Sequence, residues 1–281
     1  MASIQVVTDS ACDLLPSTAE EHGVRIVPLT IRFGAEEFVD REELSTKEFW
    51  DRVVTGPDMP ETAAPSPGAF QEAFVGAADA GHDGVLCVTI SSRLSATYQA
   101  ARTAAASVAD RIDVRVVDTL SVTLGQGLLV LAAVDLARGG AGLDEAAAAV
   151  ADLSSRTHVY GVVDSLDYLK RGGRIGGAAH LMGSLLSIKP VIEVRDGVVE
   201  VESKQRTRSR ALQYLAGKAL DAGPVAWLGV ANGVAPDIED VLGIVRRASP
   251  VHELVVGELG PVVGAHAGPG SVGVCFVTAP G

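Results

Sequence analysis

VLCVTISSRLSATYQAARTAAASV, residues 85–108, joins a continuous apolar run to an alanine-rich segment through a short polar loop. The run Val85–Ile90 is typical of a buried parallel strand, and Ser95–Val108 predicts a helix. Similar β-branched runs at residues 4–7 and 112–117 are also followed by helical patterns. Strands that alternate with helices predict a parallel, Rossmann-like α/β sheet in the first half of the chain.

The remainder of the first half carries weaker signals. Residues 24–33 are expected to form a single strand, and Ser45 and Glu48 have the spacing of a capping box at a helix start. Residues 56–68 contain four prolines and two glycines, which predicts an irregular segment.

The second half has a different pattern. Two β-branched runs flank Arg195-Asp196-Gly197, and an Asp-Gly pair between strands is a hairpin signal. Further strands are expected at 225–231, 251–257 and 271–278, with helices between them. This pattern predicts an α+β unit that contains antiparallel pairs.

We therefore expect two domains of the α/β class. A parallel α/β domain spans 1–157, and an α+β domain with a mixed sheet spans 158–281. No low-complexity linker separates them, so they are expected to pack closely and to hold a ligand between or within them.

Composition excludes several classes of protein. The 281 residues have a net charge of −12 and 4% aromatic residues, which argues against nucleic acid as a partner. The three cysteines lie far apart without a C-x-x-C pair, so neither disulfides nor a sulfur-ligated zinc site is expected. No apolar run reaches the roughly 18–20 residues of a membrane span, and the chain is expected to be cytoplasmic.

The charge is distributed unevenly. Residues 1–155 carry 10 basic and 23 acidic residues, whereas 156–281 carry 13 basic and 12 acidic residues. Residues 168–210 contain nine basic and four acidic residues. Such a cluster is either a solvated surface or a docking surface, and the pattern alone leaves both interpretations open.

Three residues are candidates for binding. Ser95 follows a strand by a short loop and is predicted at a helix start, where it either caps the helix or helps to bind an anion. Thr62 lies in a loop that can fold over the same sheet edge. His266 lies among glycines at 264–270, which indicates either a close backbone approach or a plain turn.

Common catalytic and cofactor motifs are missing. The G-x-G-x-x-G match at 268–273 leads into a strand instead of opening a helix, and the six histidines lack metal spacing. No G-x-S-x-G elbow is present. We therefore expect no cofactor and no metal.

A set of different short motifs is spread in order over nearly the whole chain, and together they resemble the motifs of the DegV family of fatty-acid-binding proteins. The motifs are Thr8-Asp9-Ser10, Thr62-x-x-Pro65-Ser66, Ile90-Ser91-Ser92-x-Leu94-Ser95, Asp118-Thr119-x-Ser121, Leu169-Lys170-Arg171-Gly172-Gly173-Arg174, Ile188-Lys189-Pro190 and Gly264-x-His266-x-Gly268-Pro269-Gly270.

The resemblance implies a non-catalytic carrier that encloses one long-chain fatty acid, such as palmitate, and presents its carboxylate to a bacterial fatty acid kinase for acyl phosphate formation. It implies that Thr62, Ser95 and His266 contact the carboxylate and that Arg171 and Arg174 dock the partner. Ala63, Ala96 and Ala267 depart from the family pattern.

Two other classes of function stay open at this point. One is an acyl hydrolase that uses Ser95 as nucleophile and His266 as base, for which the sequence supplies no acidic orienting residue at a recognisable position. The other is a regulator that binds a metabolite or nucleotide.

Overall fold

The computed structural model describes residues 3–181, 188–248 and 254–279. In these parts of the chain the strands are β1 (Ile4–Asp9), β2 (Arg25–Val27), β3 (Thr30–Phe33), β4 (Glu36–Val39), β5 (Pro60–Ala63), β6 (Gly84–Thr89), β7 (Asp113–Asp118), β8 (Thr157–Val162), β9 (Lys189–Arg195), β10 (Val198–Gln205), β11 (Val225–Gly233), β12 (Leu254–Glu258) and β13 (Ser271–Thr278). The helices are α1 (Pro16–Glu21), α2 (Thr46–Thr55), α3 (Pro67–Asp79), α4 (Thr97–Ser107), α5 (Leu124–Arg138), α6 (Leu143–Ser155), α7 (Asp167–Arg171), α8 (Arg208–Asp221), α9 (Ile238–Ala248) and α10 (Pro261–Ala267).

The first sheet is parallel throughout, with strand order β2-β1-β6-β7. Side chains of β6 alternate between its two faces: Val85 and Cys87 pack in the core under α3 and α4, and Leu86 and Val88 pack in the core that contains α5. Helices cover both faces, as a parallel sheet requires. The predicted parallel α/β architecture is confirmed.

The second sheet is mixed and has the order β10-β9-β8-β13-β11-β12. Its β11–β12 pair is parallel, and its other four pairs are antiparallel. The predicted hairpin joins β9 to β10, with Asp196 at φ 49° and Gly197 at φ 79°, the left-handed backbone of a type I′ turn. β12 begins at Leu254, and residues 251–253 of the predicted strand lie outside the described residues.

Helix α5 lies between the two large sheets. It contacts β1 and β6 on one side and β8, β11 and β13 on the other, and every residue from Leu124 to Val134 is buried. A helix that is apolar all round needs cover on all sides. The two sheets therefore share one core, and the division of the chain at residue 157 stays a prediction.

Two predictions about the first half are wrong. Residues 24–33 form two strands instead of one, because β2 joins the parallel sheet and β3 joins a separate sheet of order β4-β3-β5. Pro28, which lacks a backbone N–H, lies at the break between them. Residues 56–68 are not wholly irregular, since they contain β5, which starts at Pro60 and pairs with β3. Proline is tolerated at the first residue of an edge strand.

Helix α2 and the small sheet both contact α10. Helix α2, which opens with the predicted Ser45 and Glu48 capping box, presents Trp50, whose indole N–H donates to the carbonyl of Leu259 at 3.0 Å. A Cβ at Gly264 of α10 would lie 2.7 Å from the ring of Phe49. This close approach between α2 and α10 requires glycine, and β5 also contacts α10. No helix among the described residues is long and apolar enough to cross a membrane.

Candidate functional site

A largely aliphatic cavity lies where the small sheet, α10 and one face of the mixed sheet meet. It encloses about 870 Å³ of empty space, its open mouth included. Apolar side chains from several strands, loops and helices form its walls. Among them are Leu29, Ile90, Val159, Ile192, Val194 and Val262. Such a cavity suits an apolar ligand.

One group of polar side chains, Thr62, Ser95, Arg174 and His266, lines this cavity. We call these four residues the polar cluster. They come from β5, the loop before α4, the glycine-rich loop after α7, and α10. The three residues predicted from the resemblance to contact a carboxylate therefore line one cavity, and their role as ligand contacts stays a prediction.

His266 is positioned by its neighbours in the cavity wall. Its Nε2 shares a hydrogen bond of 2.9 Å with the hydroxyl of Thr62, and a Cβ at Gly172 would overlap its ring. Burial, together with the positive charge of Arg174, lowers the pKa of His266 to about 4. The imidazole is therefore neutral at physiological pH.

The glycine-rich context of His266 conceals a helix. A plain turn at 264–270 was one of the two interpretations of the sequence. The structure instead has the helix α10 at residues 261–267, with Pro261 in its first turn. His266 occupies the last turn of this helix, and Gly268 follows with φ 76°. Proline at a helix start followed by glycine beyond its end is a sequence signal that could have revealed α10.

Ser95 does not cap a helix in the predicted way. The helix α4 begins at Thr97, with Ala96 as the N-cap residue and no side-chain cap. The Ser95 hydroxyl shares a 2.8 Å hydrogen bond with the hydroxyl of Thr97. The first N–H groups of α4 and the Ser95 hydroxyl thus lie together at the carboxyl end of β6, which is the edge where open α/β sheets bind ligands.

The two arginines proposed for docking lie in different surroundings. Arg171 is exposed, whereas Arg174 is half-buried and lines the cavity. The guanidinium of Arg174 donates to the carbonyl oxygens of Leu94 at 3.0 Å and Gly172 at 2.6 Å. Sequence reasoning missed this second placement, which adds a fixed positive charge to the polar cluster.

Part of the basic cluster at 168–210 is neutralised within the fold. Lys189 and Arg208 both pair with Asp164, at 3.6 and 2.8 Å, and Arg208 also pairs with Asp237 at 2.7 Å. Arg195 forms an ion pair with Glu193. The basic side chains left to form a docking surface are therefore fewer than the sequence count indicates.

A nucleophile and base pair is not assembled in this cavity. Ser95 bonds to Thr97, and His266 bonds to Thr62. The other ring nitrogen of His266, Nδ1, has no hydrogen-bond partner among the described residues, so no carboxylate orients the imidazole as a catalytic base requires.

The part of the chain that the structure describes contains no group of residues able to hold a metal ion.

A buried carboxyl group links the segment between β1 and α1 to the start of α10. Asp13 accepts a 2.9 Å hydrogen bond from the backbone N–H of Gly260, the N-cap residue of α10. Burial raises the pKa of Asp13 to about 7, so this carboxyl titrates near neutral pH.

Comparison with known proteins gives a consistent result. A family model described as "Uncharacterised protein, DegV family" matches residues 3–279. A DegV domain-containing protein of Streptomyces coelicolor is 36% identical over 275 residues, which cover 96% of this chain and 97% of that protein.

Two solved structures share the fold over almost their full length. A DegV family protein from Thermus thermophilus, described for its fatty acid binding, has 33% identity and a TM-score of 0.88, covering 99% of this chain and 100% of that one. A stearic-acid-binding protein from Eubacterium ventriosum has 28% identity and a TM-score of 0.89, covering 99% and 98%. With the family model matching almost every residue, this chain belongs to the DegV family.

Proposed function

We propose that this protein is a non-catalytic carrier that encloses one long-chain fatty acid. The carboxylate lies at the polar cluster, and the alkyl tail lies along the aliphatic walls of the cavity. The observation that carries the proposal is the combination of a large apolar cavity with hydroxyl, imidazole and guanidinium groups in its wall. The fatty-acid binding described for the structural neighbours supports it.

The polar cluster suits a carboxylate. An ionised carboxylate that leaves water needs hydrogen-bond donors or an opposite charge, because its desolvation otherwise costs several kcal/mol. Thr62 and Ser95 supply hydroxyl donors, and Arg174 supplies the charge. Since His266 is neutral, it serves as a hydrogen-bonding group that holds the Thr62 hydroxyl, and it contributes no net charge.

The tail supplies most of the binding free energy. Burial of each methylene contributes about 0.8 kcal/mol, so a sixteen-carbon tail contributes on the order of 10 kcal/mol before the costs of ordering are subtracted. A site with few polar contacts can therefore bind tightly.

Analysis of the bound lipid tests this proposal directly. Denaturing mass spectrometry of an organic extract from the purified protein should show about one fatty acid per chain. Delipidated protein should take up added palmitate with the same stoichiometry. If purified protein repeatedly lacks lipid and delipidated protein does not bind palmitate, the carrier proposal is wrong.

We further propose that the carrier presents the bound carboxylate to a fatty acid kinase, which converts it to an acyl phosphate. The proposed docking residues are Arg171, at the end of α7, and Arg174, at the cavity behind it, with Lys170 beside them. The DegV family resemblance motivates this role, and the exposure of Arg171 next to the loop that reaches the cavity supports it.

Docking and lipid binding can be separated by mutation. Arg171→Ala should lower acyl phosphate formation by a cognate kinase and leave the amount of bound fatty acid unchanged. Lys47→Ala, which removes an exposed cation on α2, serves as the matched control. Unaltered acyl phosphate formation with Arg171→Ala would remove Arg171 from the docking surface.

The hydrolase alternative has no supporting observation in this structure.

A further inference from the structure

Two glycines lie side by side in the wall of the cavity. Gly161 on β8 pairs with Gly273 on β13, and both line the cavity. Directly opposed residues in an antiparallel pair have Cα atoms about 4.5–5.5 Å apart. Val159 and Cys275, two residues further along the same strands, belong to the core on the same face of the sheet. The pair therefore leaves a gap in the layer of side chains on that face.

The backbone does not require glycine at either position. Neither Gly161 nor Gly273 has a positive φ, and glycine weakens the interior of a strand. A Cβ at Gly161 would have its nearest neighbour in Ile192 at 3.5 Å, and one at Gly273 in Ala231 at 3.5 Å. Both are ordinary van der Waals contacts within the sheet, so a small side chain fits locally and points into the cavity.

Other glycines in the same core have a packing reason. A Cβ at Gly229 of β11 would lie 3.1 Å from Leu124, and one at Gly125 of α5 would overlap Val159. These two positions allow α5 to approach the mixed sheet closely. Among the residues that the structure describes, no comparable approach of a helix accounts for the Gly161 and Gly273 pair.

We infer that Gly161 and Gly273 determine how bulky an acyl tail the cavity admits. This inference rests on the proposed fatty-acid binding and adds the residues that set its selectivity. Without side chains, the two positions form a trough in the cavity wall, which accommodates extra bulk such as a methyl branch or a cis double bond.

The position of the trough fits this role. Ser271, two residues before Gly273, donates its hydroxyl hydrogen bond to the carbonyl of Ala267 at 2.8 Å, next to His266. Two residues of a strand span about 7 Å, so the trough begins a short distance from the polar cluster. Val159 and Val194, which are paired on β8 and β9, fill the wall on the side away from Ser271. A tail that leaves the polar cluster along this wall crosses the glycine pair before it reaches those valines.

Substitutions at the pair test the inference. Delipidated Gly161→Ala, Gly273→Ala and Gly161→Val proteins are titrated with palmitate and with oleate by displacement of a fluorescent fatty acid. Gly161→Val should bind oleate about tenfold more weakly than the wild type does, because the added side chain overpacks the space that the tail occupies. Its loss of affinity for palmitate should be smaller. The alanine variants should show the same order with smaller changes.

A stability measurement separates a selectivity role from a structural one. Because alanine and valine favour strands more than glycine does, the melting temperature of the delipidated variants should stay the same or rise by about 1–3 °C. Gly76→Ala on α3, where the added Cβ has no neighbour within 4 Å, is the control for stability without a change in affinity.

Each result has a distinct meaning. Equal affinity of wild type and Gly161→Val for both fatty acids overturns the inference while the proposed function stands. Weaker binding accompanied by a lower melting temperature of every delipidated variant also overturns it, because the glycines are then structural. If the wild type itself binds neither fatty acid, the proposed function fails and this inference fails with it.

Discussion

Replacing Thr62 with valine removes a single hydroxyl group from the polar cluster and keeps the shape of the side chain. The hydroxyl shares a 2.9 Å hydrogen bond with Nε2 of His266, whose Nδ1 already lacks a partner in the described part of the chain. Thr62→Val therefore leaves both ring nitrogens of a buried imidazole without a protein partner.

The expected loss has two parts. Leaving a buried polar atom unpaired costs about 1–3 kcal/mol of folding free energy, which lowers the melting temperature by about 2–5 °C for a chain of this size. A hydrogen bond to a carboxylate contributes about 1.5–3 kcal/mol, so fatty-acid affinity should fall by a factor of about 10–150.

Two assays on delipidated protein measure these losses: thermal melting, and titration with palmitate by displacement of a fluorescent fatty acid. Thr30→Val is the matched control. Thr30 lies on β3 opposite Ala63, whereas Thr62 lies opposite Ile31, so Thr30 occupies the other face of the small sheet. If Thr62→Val binds palmitate as tightly as the wild type and as Thr30→Val, Thr62 does not contact the carboxylate.

Two further predictions concern Ser95 and Asp13. Ser95→Ala should weaken palmitate binding about tenfold and lower stability by about 1 kcal/mol, because the hydrogen bond to Thr97 is lost; the same titration and melts measure both. Ser92→Ala in the same loop, an exposed residue, should change neither, and equal affinity of the two variants would exclude a Ser95 contact. Burial raises the pKa of Asp13 from its ordinary 3.8 to about 7 in the folded protein, so its contribution to stability is fully present below pH 3.8 and is lost as pH rises from there through 7. Between pH 5 and 8 the melting temperature of the delipidated wild type should therefore decline relative to that of Asp13→Asn, which lacks this carboxyl. Parallel curves of melting temperature against pH for the two proteins would contradict the assignment.

Local patterns were sufficient to predict most of the fold. The apolar run at Val85–Ile90, the capping box at Ser45 and the Asp196-Gly197 hairpin each depend on residues that are near neighbours in sequence, and the structure confirms each of them. The errors came where a proline or several glycines carried mixed signals. Pro28 divides a β-branched run between two sheets, and the glycines around His266 conceal α10.

The site was harder to predict because its parts are distant in sequence. Family resemblance indicated Thr62, Ser95 and His266 one by one, but no local pattern places Thr62 against His266. The inward position of Arg174 depends on carbonyl groups of Leu94 and Gly172, which only the folded chain brings within reach. The gap at Gly161 and Gly273 likewise arises from the pairing of two strands that are far apart in the chain.

The attachment of α10 also has a consequence for biosynthesis. This helix is held by Trp50, Asp13 and Thr62, which lie 204 to 247 residues before their partners. During translation the parallel sheet can form long before α10 leaves the ribosome, since domains fold as their residues emerge. The polar cluster is incomplete until then, so a nascent chain has no finished site for a fatty acid. Bound lipid in a cell extract would therefore mark molecules in which α10 has already joined the fold.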